Sequence, residues 1–231
     1  MRIAVLVASL LCAGIFAEEV SLAHHYRFDG SEIIDSAGGC NGRVSRLQQT
    51  EGLYGKALYF PKQDDPNARN LACAVSIPVS SDIFVNPFTA TFWLKLDENS
   101  TYRQFKDLLS LGGERGPGFR LTYFYNSLNV RTGDGKKVVS VNTNSSTVLL
   151  PLKRWFQVAV VYDGENCSLY IDAVQKAKGK IQFTKGTKPL SVGTYSNGYA
   201  YPAQGAIDEL KIYKGAMPHS MLVDAYLSEL K

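Results

Sequence analysis

Trp155-Phe156-Gln157-Val158-Ala159-Val160-Val161-Tyr162-Asp163-Gly164 is the stretch on which the fold turns. Phe156, Val158, Val160 and Tyr162 alternate with Gln157, Ala159 and Val161, which is the two-residue period of a β-strand. Both of its faces are largely apolar, so this strand is expected to be central and covered on both sides. Asp163-Gly164 tolerates the positive φ of a tight connection, and a second β-rich run follows from Cys167 to Ile171.

The same period recurs outward from this hairpin. From Thr89 to Leu96, Ala90, Phe92, Leu94 and Leu96 fall on one face, and Thr89, Thr91, Trp93 and Lys95 on the other. Further β-rich runs are Leu22 to Phe28, Lys56 to Phe60, Ala74 to Ile77, Gly118 to Tyr125, Val138 to Val141, Leu190 to Gly193 and Ala206 to Tyr213. Gly112-Gly113, Gly133-Asp134-Gly135 and Asn197-Gly198 punctuate them. Many short strands at regular spacing mean an all-β sandwich or barrel. Only the end of the chain reads helical. After Pro218, the residues Met221, Leu222, Ala225, Tyr226 and Leu230 form an apolar stripe, expected to pack against the sandwich edge.

At the amino terminus, Arg2 precedes an apolar run from Ile3 to Phe16 that ends at Ala17 and is followed by Glu18-Glu19. That pattern is a secretory signal peptide, residues 1–17, too short to span a bilayer comfortably. The expected product is a secreted, extracellular chain of residues 18–231 with no membrane insertion after cleavage. Thirteen Tyr and eleven Phe supply core material, and no linker or low-complexity tract divides the chain, so one domain is expected. The formal charge of +4 includes Arg2, and the basic residues are scattered. Lys136-Lys137 and Lys176-Ala177-Lys178-Gly179-Lys180 read as solvated hairpin ends, and nucleic acid is excluded as a partner.

The order of landmarks resembles the laminin-G-like, concanavalin A-like lectin/glucanase jelly-roll family. Ala23-His24-His25-Tyr26-Arg27-Phe28-Asp29-Gly30, followed by Ile34-Asp35-Ser36 and Asn41-Gly42, is similar to its first strand and turn. Tyr54 to Phe60, Val75-Ser76-Ile77-Pro78, Phe88 to Lys95, the hairpin from Trp155 to Asp172, and Gly205 to Tyr213 resemble its later landmarks in the same order. The implied fold is a two-sheet antiparallel β-sandwich, or jelly roll, with a short C-terminal helix. Ala173 stands where the hairpin usually turns on Gly, and Cys40 where the first turn is usually Asn- or Gly-rich.

The resemblance carries further expectations. It places Cys40 and Cys73 near one end of the sandwich, making Cys40–Cys73 the preferred disulfide over pairings with Cys167, while reduced, buried cysteines remain the alternative. Jelly rolls of this kind hold structural Ca²⁺ with aspartates, and Asp29 and Asp208 are the candidate ligands because first and last strands are implied to pair. Related glucanases need two carboxylates facing one groove. Asp208 and Glu209 are adjacent and should face opposite sides of a regular strand, and Asp163 and Glu165 flank a turn. His24 and His25 should likewise diverge, one packed and one exposed, and no Gly-x-Ser-x-Gly elbow is present.

The chain is therefore read as a non-catalytic binding module. Tyr195, Asn197, Tyr199 and Tyr201 interleave aromatic faces with hydroxyl and amide groups just before the last strand, a composition suited to a glycan or glycoconjugate. The alternative is an extracellular-protein partner in adhesion or matrix, with glycoside hydrolysis a distant third. Packing of those tyrosines over the end of the sandwich is the competing structural reading.

Overall fold

The computed structural model describes residues 19–62, 73–98, 105–112, 115–144, 146, 148–195 and 201–230. Two antiparallel sheets face each other across a shared apolar core. The first sheet contains β1 (Ser21–Tyr26), β3 (Gln49–Glu51), β4 (Lys56–Phe60), β6 (Phe88–Leu96), β11 (Phe156–Tyr162), β12 (Asn166–Ile171), β13 (Val174–Lys180) and β15 (Gly205–Lys214). Its order is β13-β12-β11-β6-β15-β4-β3, with β1 paired to β15. The second contains β2 (Arg43–Ser45), β5 (Ala74–Ile77), β7 (Lys106–Ser110), β8 (Arg120–Phe124), β9 (Ser127–Gly133), β10 (Val138–Asn142) and β14 (Leu190–Val192), ordered β10-β9-β8-β7-β14-β5-β2. One helix, α1 (His219–Ser228), follows the last strand. Among the described residues no helix is long and apolar enough to cross a membrane.

β11 lies between β6 and β12, as its doubly apolar pattern implies. Phe92 and Val158 are register partners, and both are fully buried in the core. The opposite face of these strands is buried as well. There Leu222 of α1 and Met217 pack with Ala159, Val161 and Tyr170, and Tyr226 stacks on Trp93 with ring centroids 5.8 Å apart. Beyond the helix, the Glu229 carboxylate accepts hydrogen bonds from Trp93 Nε1 at 2.6 Å and Gln157 Nε2 at 3.0 Å, and pairs with Lys211. The helix thus covers a sheet face and not the sandwich edge. Leu222 and Tyr226 turn toward that face, while Met221 and Leu230 stay exposed, so only part of the expected stripe is used.

The expected Cys40–Cys73 bridge is not formed: Cys40, Cys73 and Cys167 are free thiols. Cys73 is fully buried in the core beside the Gln48 backbone, whereas Cys40 sits partly buried by Tyr26 and Asp35. The two sulfurs therefore have separate surroundings. Burial raises the pKa of all three thiols, that of Cys167 to about 12, and they pack as small apolar groups.

Candidate functional site

The two sheets present different outward faces. In β8, Leu121 and Tyr123 point into the core, so Arg120, Thr122 and Phe124 point away from it. β7 carries a bulge between Asp107 and Leu109, after which Ser110 pairs with Arg120 while Asp107 pairs with Thr122. Asp107 consequently shares the outward face with Arg120 and receives it bidentately, Nε to Oδ1 at 2.5 Å and Nη2 to Oδ2 at 2.7 Å. Both residues are almost completely buried despite facing outward.

Two tyrosines wall this ion pair. The Arg120 guanidinium carbon lies 4.7 Å from the Tyr195 ring centroid and 5.7 Å from that of Tyr201, and the two rings are 6.2 Å apart. Their position follows from the backbone. Gly193 leaves β14 at φ +68°, and a Cβ there would lie 2.1 Å from the Phe60 ring, so only glycine fits. Gly193 N–H donates to the Leu108 carbonyl, and Ala203 N–H donates back to the Gly193 carbonyl. Asp107 N–H donates to the Tyr201 carbonyl, fixing Tyr201 beside the bulge that positions Asp107. Tyr201 keeps 39% of its surface exposed, which leaves one aromatic wall open to a ligand.

A second cluster adjoins the first. Arg131 of β9 is the direct cross-strand partner of Arg120 and shares its outward face. Its guanidinium carbon sits 4.1 Å from the Phe105 centroid, and Phe105 stacks on Phe124 at 4.6 Å. Tyr125, exposed at the β8–β9 turn, meets Phe124 edge-on. Arginine, one carboxylate and aromatic rings converging on a rigid sheet supply orienting polar groups and flat stacking surfaces together. That combination suits a polar ligand with an apolar face.

Residues 72–221 match the family model of the concanavalin A-like lectin/glucanases superfamily, laminin-G type 3. The chain belongs to that superfamily. No curated protein matches the sequence. Among solved structures, domain 4 of AbnA, a GH43 extracellular arabinanase from Geobacillus stearothermophilus solved with arabinotriose, is similar over 90% of this chain and 98% of its own. Its TM-score is 0.67 and its identity 21%. The binding domain of botulinum neurotoxin DC, solved with SialylT, aligns over 90% of this chain at TM-score 0.69 and 12% identity. The binding domain of Paraclostridial Mosquitocidal Protein 1 does so at TM-score 0.69 and 15% identity. This chain spans about half, 52%, of each of these two toxin domains. At such identities the likeness is one of fold.

Within this superfamily fold, the residues singled out in the sequence have separate fates. Tyr195 and Tyr201 come together on Arg120, whereas Asn197 and Tyr199 lie outside the described residues. Asp29 and Asp208 hold the two ends of one turn: Asp208 accepts from Leu53 N–H at 2.8 Å and Glu209 N–H at 2.9 Å, and Asp29 from Lys56 N–H at 2.9 Å. Burial raises the Asp208 pKa to about 7, against the lowering effect of these backbone donors. Asp208 thus gives both of its carboxylate oxygens to backbone N–H groups, and Asp29 one of its two. Among the described residues, no three His, Cys, Asp or Glu side chains gather at metal-binding distance.

Asp208 and Glu209 also correct an expectation. β15 bulges between Asp208 and Lys211, and Glu209 adopts φ +49°. Asp208 is the register partner of the outward Trp93, while the bulge turns Glu209 to His25 at 2.6 Å and toward Lys211, so both carboxyls lie on the outward side. Neither is open to substrate: Asp208 is fully buried on the 53–54 turn, and Glu209 is 6% exposed. His24 and His25 do diverge, to Asp35 and Glu209 respectively, but their side chains are almost equally covered, at 12% and 11% exposure.

The sequence reading missed Asp107, Arg120, Arg131 and Phe105. One signal was available: Arg120 interrupts the apolar run Phe119-Arg120-Leu121 inside a strand, where an unpaired charge would be costly.

Proposed function

We propose that this chain is a secreted, non-catalytic carbohydrate-binding module whose ligand lies on the outward face of the second sheet, against Tyr201 and Tyr195. The observation that carries this reading is the Arg120–Asp107 pair held bidentately beneath two tyrosine rings, one of them open to solvent. The ring faces stack on the C–H surface of a sugar, and the buried arginine–carboxylate pair beneath holds those rings in place. The arabinotriose-bound arabinanase domain of the same fold supports a glycan partner, and the leader-like residues 1–17 support secretion.

A glycan array probed with the mature chain, with and without EDTA, tests the reading. Discrete glycan signals are expected and should survive EDTA, because Asp29 and Asp208 are committed to backbone N–H groups. An array silent throughout would overturn the glycan reading in favour of an extracellular-protein partner.

A further inference from the structure

Two exposed tyrosines share an uncommon backbone. Tyr201 and Tyr125 adopt φ +57° and +52°, a region that bulky residues avoid. Among the described residues they are the two aromatics that combine a positive φ with an open side chain, at 39% and 37% exposure; Phe28, also at positive φ, is buried. Both tyrosines belong to the outward side of the second sheet. Tyr201 flanks β7 through its bond from Asp107 N–H, and Asp107 pairs with Thr122 of β8. Tyr125 follows the outward-pointing Phe124 at the β8–β9 turn. Two strand spacings across and three residues along separate the two tyrosines, on the order of 14 Å between backbones. Each ring is backed by a stack. Tyr201 leans on Tyr195 over Arg120, and Tyr125 meets Phe124 edge-on at 4.7 Å, with Phe105 behind it over Arg131. Because Arg120 and Arg131 are cross-strand neighbours, the two stacks adjoin in one strip. Strained residues persist where the surrounding structure over-determines them, and they concentrate at ligand clamps.

We propose that Tyr125, backed by Phe124 and Phe105, is a second sugar-stacking subsite, and that the ligand is an oligosaccharide chain long enough to lie on Tyr201 and Tyr125 at once. This rests on the carbohydrate reading above and deepens it. One sugar ring covers one tyrosine face and does not reach the other, whereas an extended chain spans both. A chain already stacked on Tyr201 presents its next units to Tyr125 at high effective concentration, so two modest platforms on one rigid sheet give an affinity that neither supplies alone.

The test uses the mature chain and ladders of one sugar backbone. A glycan array carries cello-, xylo-, manno- and arabino-oligosaccharides and other backbones, each from monosaccharide to hexasaccharide, and the ladder with the strongest signal is titrated by calorimetry. Affinity should step up about tenfold or more between the disaccharide and the hexasaccharide, where the chain first reaches both platforms. Tyr125→Gly should flatten that step, bringing the hexasaccharide close to the disaccharide; glycine accepts the φ +52° of this turn, so the substitution suits the fold. Equal affinity along the ladder of the parent chain, or a step that survives Tyr125→Gly, would overturn the second subsite and leave the carbohydrate reading standing. Silence on the whole array would overturn both. The ladder on the parent chain requires no variant to fold.

Discussion

The outward faces of the two sheets have opposite fates. On the first sheet the chain covers its own surface: Trp93 lies under Tyr226, Ala159 and Val161 under Leu222 and Met217, and Glu229 takes the Trp93 and Gln157 donors. On the second sheet Arg120, Asp107 and Arg131 are framed by aromatic rings, and Tyr201 remains partly exposed. An apolar face closed by a helix stabilises the fold. A charged, aromatic face held stiffly and left partly open is suited to recognition. The contrast teaches that burial alone does not separate structure from function in this molecule, because Trp93 and Arg120 are equally hidden. What separates them is the cover: a helix closes over Trp93, whereas one of the rings beside Arg120 stays open to solvent.

Substitutions on the two faces should therefore fail differently. The largest effect is expected at Trp93→Ala, which empties the space beneath α1 and removes one of the donors to Glu229; the cost should be about 3–5 kcal/mol by chemical denaturation. At temperatures where this variant stays folded, glycan affinity should match the parent, and a parallel loss of binding would break the contrast.

Asp208→Asn probes a suppressed charge on the covered face. Because the folded-state pKa is raised from 3.8 to about 7, the native state holds the proton more firmly than the unfolded chain. The ionising carboxyl therefore removes stability as pH rises from about 4 to about 7, on the order of a few kcal/mol in all. The difference in Tm between Asp208→Asn and the parent should shift in the variant's favour across that window. A difference that is flat in pH would mean that Asp208 ionises normally. On the other face, Asp107→Asn weakens two charge-assisted hydrogen bonds and should cost about 1.5–3 kcal/mol. It should also reduce glycan binding, because Arg120 loses its anchor; unaltered binding would place the ligand elsewhere.

The sequence made the scaffold legible because strand period reports which side chains meet the core. Phe156 to Tyr162 is covered on both faces, as its alternation required, though the second cover proved to be α1. The same logic failed at Asp208 and Glu209. A strand-parity argument assumes regular pleating, and the bulge at Glu209 removes that assumption without any glycine to announce it. The site was legible in half. Tyr195 and Tyr201 stood out because aromatics clustered in a polar segment are conspicuous, whereas Asp107 and Arg120 are thirteen positions apart and meet only through strand pairing and a second bulge. The cysteine pairing failed for a similar reason: proximity of segments does not fix the direction of two thiols.

The most direct test of the account is Tyr201→Ala, measured for binding and melting together on the ligand identified by the array. Tyr201 is 39% exposed and contributes an open wall, so stability should change by about 0.5 kcal/mol or less while affinity falls about tenfold. Unchanged affinity, or a large drop in Tm with affinity preserved in the folded fraction, would contradict the claim that this face is the recognition surface.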